Sequence, residues 1–240
     1  MSDSTEVADR LASVRARISA AAKAASRPEQ DICLVGVSKR QSPARIVDAL
    51  RAGLRDLAEN YVQEAVNKIP TVLEPLESDE LRPRWHFIGQ LQRNKARDVA
   101  RLFDCVSCID RAKLGAELDR RAAFEQRTLE VLLQVNLSGE AQKGGVAPDE
   151  VRELLASSQS WRQLRVTGLM TIPAAEADPE ANRPSFAQLR ELRDTLRSEP
   201  GGEHLVELSM GMSGDFEVAI EEGATIVRVG TAIFGPRSEP

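Results

Sequence analysis

Lys39 closes an apolar run, Ile32-Cys33-Leu34-Val35-Gly36-Val37-Ser38, whose aliphatic and β-branched residues read as a buried parallel strand. A primary amine at the carboxyl end of such a strand lies where α/β folds place their chemistry. Burial lowers an ammonium's pKa, and the neutral amine can attack a carbonyl carbon to form a Schiff base. The plain alternative is a lysine that reaches water where its strand ends.

Two later segments carry complementary chemistry. Ser209-Met210-Gly211-Met212-Ser213-Gly214-Asp215 joins a strand to a helix expected to begin near Ser213. Its glycines let backbone amides approach a ligand, and a helix start favours negative charge. Arg228-Val229-Gly230-Thr231 then offers a guanidinium, a glycine amide and a hydroxyl. Either segment alone also fits an ordinary turn; together, after the last two of eight strands, they fit a phosphate site.

Stepping along the chain, strands are predicted at 32–38, 55–58, 85–89, 104–109, 130–136, 165–172, 204–210 and 225–234. Helices are predicted at 43–52, 60–69, 93–101, 111–126, 148–157, 181–198 and 214–222. Val7, Leu11, Val14 and Ile18 mark one face of an opening helix. Eight alternating strands imply an α/β fold, a (β/α)8 TIM-type barrel with an additional N-terminal helix, in one domain over 1–240. An open doubly wound sheet is the competing architecture. Ending on the eighth strand, the chain would use its opening helix to cover the flank that a final helix normally covers. The stretch Ala174–Asn182 is the expected loop.

In a barrel the strand ends share one rim. That rim would collect Ser38 and Lys39, Glu59 to Tyr61, His86 and Gln90, Asp110, Gln134 and Asn136, Met170 and Thr171, Ser209 to Ser213, and Arg228 to Thr231. His86 lacks a partner at metal-ligand spacing and reads as a hydrogen-bonded barrel histidine. Cys105 and Cys108 spell CxxC, but on a strand residues three apart face opposite ways. With Cys33 they make an odd count, so all three read as structural thiols.

Composition narrows the classes. The net charge of −5 gives no field for nucleic acid, and Arg93, Lys95, Arg97 and Arg101 read as a solvated face. No apolar run is long enough for a membrane span, and the polar, acidic start lacks a secretory signal. The cytoplasm is the expected location.

Several segments together resemble the pyridoxal phosphate homeostasis proteins (YggS/PROSC type). They are Val35-Gly36-Val37-Ser38-Lys39, Glu59-Asn60-Tyr61-Val62-Gln63-Glu64, Trp85 to Lys95, Gln134-Val135-Asn136 through Lys143-Gly144, Gly168-Leu169-Met170, Leu208 to Asp215, and Val227 to Gly235. The resemblance implies a barrel similar to the amino-terminal domain of alanine racemases, with pyridoxal 5′-phosphate (PLP) at the carboxyl rim. It implies that Lys39 forms the internal aldimine and Arg228 faces the pyridine nitrogen. Ser213, Gly230 and Thr231, with Ser209 as a weaker candidate, would hold the phosphate, and Asn60 would lie near the ring.

Ala58 departs from the family's glycine and would be strained if that backbone needed positive φ. The racemases' second base comes from a further β-rich domain, for which the barrel leaves no room, and Tyr61 does not match it. The resemblance therefore implies a PLP carrier in intracellular homeostasis, not an enzyme. It would be a monomer, with PLP-dependent apoenzymes as possible partners and no nucleic acid, membrane or metal. The rival readings are a PLP-dependent racemase and a phosphosugar enzyme without PLP.

Overall fold

The computed structural model describes residues 3–76, 78–140, 144–174 and 176–236. Eight parallel strands close into a barrel in chain order. They are β1 (Cys33–Val37), β2 (Asp56–Glu59), β3 (Arg84–Phe87), β4 (Cys105–Ile109), β5 (Leu129–Gln134), β6 (Leu164–Met170), β7 (Glu207–Ser209) and β8 (Ile226–Val229). Closure is made by β1 and β8, paired from Cys33 with Ile226 to Gly36 with Val229.

Helix α1 (Asp3–Ala24) precedes β1. Then α2 (Pro43–Arg51), α3 (Val62–Leu73), α4 (Ala96–Leu102), α5 (Ala112–Phe124), α6 (Val151–Ser158), α7 (Arg183–Leu196) and α8 (Phe216–Glu221) follow β1 to β7 in turn. This is the (β/α)8 barrel with an N-terminal helix that the alternation predicts.

Alternating strand side chains produce two cores. Val35, Ala58, Leu132, Met170 and Ile226 pack together inside the barrel. Leu57, Phe87, Leu133, Leu169 and Val227 face outward into the larger core beneath the helices. Helix α1 buries Val7, Leu11, Val14 and Ile18, the predicted face, and packs against α2 and α8. Its arginines fasten it there: Arg15 donates to the Gly53 carbonyl at 2.7 Å, and Arg17 meets Glu217 at 2.6 Å.

Several boundaries differ from expectation. The eighth strand stops at Val229, and Thr231–Phe234 form a short helix, α9, packed on α1. A continuous apolar run looks alike as strand or buried helical turn, so periodicity extended the strand too far. The seventh strand begins at Glu207, leaving His204 exposed in the preceding turn. Within the expected loop, Pro179–Asn182 form a 3-10 turn capped by the Asp178 side chain. Among the described residues, no helix is long and apolar enough to cross a membrane.

Candidate functional site

At the carboxyl ends of the strands lies a cavity of about 370 Å³, within the range of small-molecule sites. Lys39, Asn60, Ser213, Arg228, Gly230 and Thr231 all line it, with Val37, Ile88, Ile172 and Met212 as apolar wall. Lys39 and Arg228 are the two ionisable side chains of that lining. A larger hollow of about 470 Å³ lies at the other end, between α1 and the starts of β1 and β2, and holds none of these residues.

Arg228 comes from β8 and is buried. Its Nη1 donates to Ser209 Oγ at 2.7 Å and its Nη2 to the Thr171 carbonyl at 3.0 Å. Burial pushes its pKa down to about 10, against the pull of Asp215, so the guanidinium stays charged at neutral pH. Ser209 is itself fully buried and is not part of the cavity lining. Its place is against the guanidinium.

The loop from β7 to α8 is shaped by Gly211 and Asp215. Gly211 adopts φ +88, and a Cβ there would stand 2.9 Å from Phe216 Cα, so only glycine fits. Asp215 is buried and accepts from the Met212 amide at 2.7 Å and from Asn182 Nδ2 at 2.8 Å. The helix starts at Phe216, later than expected: residues 213–215 form a turn whose last side chain, Asp215, bonds back to the Met212 amide. Ser213 Oγ accepts from the Gly230 amide at 3.2 Å, which ties this loop to the start of α9. Ser213, Gly214, Gly230 and Thr231 thus line the cavity together, two hydroxyls among them.

Asn60 also lines the cavity, and its Oδ1 is buried with no hydrogen-bond partner. Such an acceptor points to a ligand group or water that completes it. Its backbone is held by a close approach: a Cβ on Gly89 would lie 1.9 Å from the Asn60 carbonyl oxygen. Ala58 lies in β2 inside the barrel and is not among the residues with positive φ, so the alanine carries no backbone strain.

Lys39 is half-buried in the turn between β1 and α2. The next helix is capped by Ser42 with Pro43 in its first turn. Beneath the turn is a buried polar cluster that sequence reading missed. Lys68 Nζ donates to the Ser38 carbonyl at 2.8 Å, to Glu59 Oε1 at 2.9 Å and to Glu64 Oε1. Ser38 Oγ donates to Glu59 Oε1 at 2.7 Å, and the Arg40 amide to Glu64 Oε1 at 2.6 Å. Arg40 has φ +59, the left-handed region, which costs a non-glycine residue on the order of 1 kcal/mol. Burial pushes Glu59 above the usual carboxylate range, against Lys68 and Ser38. The signal was available: Val62, Ala65, Ile69 and Val72 form the buried face of α3, and Lys68 falls on it.

The other residues read at the strand ends do not line this cavity. His86 lies inside the barrel, where its Nε2 meets Asp56 Oδ1 at 2.8 Å. Gln134 and Asn136 hold the following loop through the Gly144 and Glu140 carbonyls. Tyr61 is 51% exposed and lines a neighbouring groove. Lys143 lies outside the described residues. All three cysteines are free, and no metal-binding cluster occurs among the described residues.

A (β/α)8 barrel that brings a lysine from the end of β1, an arginine from β8 and a hydroxyl–amide cradle to one cavity defines a barrel of the alanine racemase amino-terminal type. The family model "Alanine racemase, N-terminal domain" matches residues 10–238. Within that class, the chain belongs to the pyridoxal phosphate homeostasis protein family. It is 44% identical over 231 residues to the pyridoxal phosphate homeostasis protein of Pseudomonas aeruginosa, covering 96% of each chain. A crystal structure of a protein from Bifidobacterium adolescentis matches with TM-score 0.88 at 36% identity, over 97% of this chain and 96% of that one. PipY of Synechococcus elongatus, solved with PLP bound, matches with TM-score 0.82 at 35% identity, over 95% of this chain and all of PipY.

Proposed function

We propose that the chain binds PLP in the carboxyl-end cavity, joined to Lys39 as an imine, and acts in the cytoplasm as a carrier that keeps PLP in balance. The observation that carries this reading is the meeting of Lys39, Asn60, Ser213, Arg228, Gly230 and Thr231 around one cavity. Lys39 supplies the amine that adds to the aldehyde carbon, water leaving as the C=N bond forms. The Ser213–Gly230–Thr231 cradle takes the phosphate, Asn60 the ring's polar edge, and the apolar wall the ring faces. Arg228, charged and fixed, disfavours a proton on the pyridine nitrogen, which weakens the ring as an electron sink.

Binding without efficient turnover follows from the same lining. Racemisation needs a base on each face of the substrate carbon. Beside Lys39, Arg228 is the other ionisable group of the wall, and the sequence's single tyrosine, Tyr61, is not in it. The whole role is assigned to this one barrel domain, with PLP-dependent apoenzymes as recipients.

One spectrum tests the reading. Protein mixed with PLP should turn yellow, lose that band on borohydride reduction and carry the label on Lys39. Lys39→Ala should lose the covalent link and keep part of the phosphate-mediated affinity. Colourless protein that gains no band would sink the proposal. Substantial racemisation of L-amino acids, abolished by Lys39→Ala, would favour the enzyme.

A further inference from the structure

Lys68 is buried on the inner face of α3, where an ammonium is tolerated only if paired and fully hydrogen-bonded. It has three hydrogens, and three acceptors meet them: the Ser38 carbonyl, Glu59 Oε1 and Glu64 Oε1. Charge neutralisation needs only the carboxylates. The third hydrogen goes to the backbone on one side of Lys39, and the Glu64 oxygen that Lys68 holds accepts the Arg40 amide on the other side.

We infer that Lys68, acting through Glu64, is a positioning residue that clamps the backbone on both sides of Lys39 and so aims its amine into the cavity. The inference rests on the PLP reading of that cavity. Arg40 supports it independently, since left-handed backbone at a non-glycine residue persists only where its surroundings over-determine it. With Ser38 and Arg40 both held, the Lys39 Cα cannot drift, and the search of the amine is confined to its own side-chain rotations. Orientation of this kind acts on the rate of bond formation more than on the binding of the rest of the ligand.

That distinction separates a clamp from a mere structural tie. The probes are PLP, whose imine band reports bond formation by stopped flow, and pyridoxine 5′-phosphate, whose alcohol replaces the aldehyde and cannot form the bond. Lys68→Met and Glu64→Ala are expected to slow imine formation by roughly tenfold or more, with affinity for pyridoxine 5′-phosphate within about twofold of wild type. Glu64→Gln keeps an acceptor for the Arg40 amide and should restore most of the rate. Lys68→Met leaves two carboxylates without their cation. Glu64→Ala removes a partly exposed side chain and retains the buried Lys68–Glu59 pair, so it carries the test if the first variant does not fold. Wild-type rates in Glu64→Ala overturn the clamp and leave PLP binding standing. So does a loss of rate matched by an equal loss of pyridoxine 5′-phosphate affinity, the mark of general loosening. If wild type itself gains no band with PLP, the reading of the cavity fails first and the clamp with it.

Discussion

Arg228 reaches the cavity with Ser209 and the Thr171 carbonyl on its two terminal nitrogens. A buried guanidinium left with unfilled donors would be costly, so these partners decide where its charge can sit. Ser209 was readable from the sequence only as a serine in a glycine-rich loop, hence as a phosphate candidate. The register adds what the sequence lacks, because Ser209 and Arg228 are on neighbouring strands and both turn into the barrel. Ser209→Ala removes an acceptor from a charged donor and is expected to cost about 2 kcal/mol in a urea melt. Its affinity for PLP should fall, but by less than in Arg228→Ala, as read by titration of the visible band. An effect on PLP larger than that of Arg228→Ala would place the Ser209 hydroxyl on the ligand itself.

The two rim loops that would hold phosphate are built by residues that never touch the cavity. Asp215 holds the Met212 amide and the Asn182 side chain, so it joins the β7–α8 loop to the turn before α7. Asp215→Ala strands both donors in a buried place and is expected to cost about 1–3 kcal/mol. It should also weaken competition by inorganic phosphate for the PLP site, which Ser42→Ala, a cap lost from α2 outside the cavity lining, should leave unchanged. At this scale the sequence was informative where periodicity was clean. Strand–helix alternation yields the barrel, and strand ends yield seven of the cavity's residues. It was silent where a polar residue sits on an apolar face, as Lys68 does, because pattern counting treats each charge as outward-facing. It erred at Thr231–Phe234, where an apolar run has no period to separate a strand from a helical turn.

Along the whole barrel the interior changes character. The apolar set Val35, Ala58, Leu132, Met170 and Ile226 packs inside the barrel beside charged side chains that line no part of the cavity. There His86 bonds Asp56, and Arg84 pairs with Glu130. Burial alone would lower the His86 pKa, but Cys105 and Asp56 outweigh it and push it up to about 9. Asp56 is correspondingly held below the usual carboxylate range: burial opposes this, and the bond to His86 overcomes it. A histidine whose folded pKa lies above its ordinary value of 6.5 stabilises the fold fully below pH 6.5 and loses that contribution as pH rises through 9. The size is on the order of 3 kcal/mol. Unfolding free energies measured by urea between pH 6 and pH 10 should therefore fall more steeply for wild type than for His86→Gln. Because neither His86 nor Asp56 lines the cavity, His86→Gln is expected to leave PLP affinity at pH 7 unchanged. A matching loss of affinity in that variant would mean that the charged pair and the cavity respond as one unit.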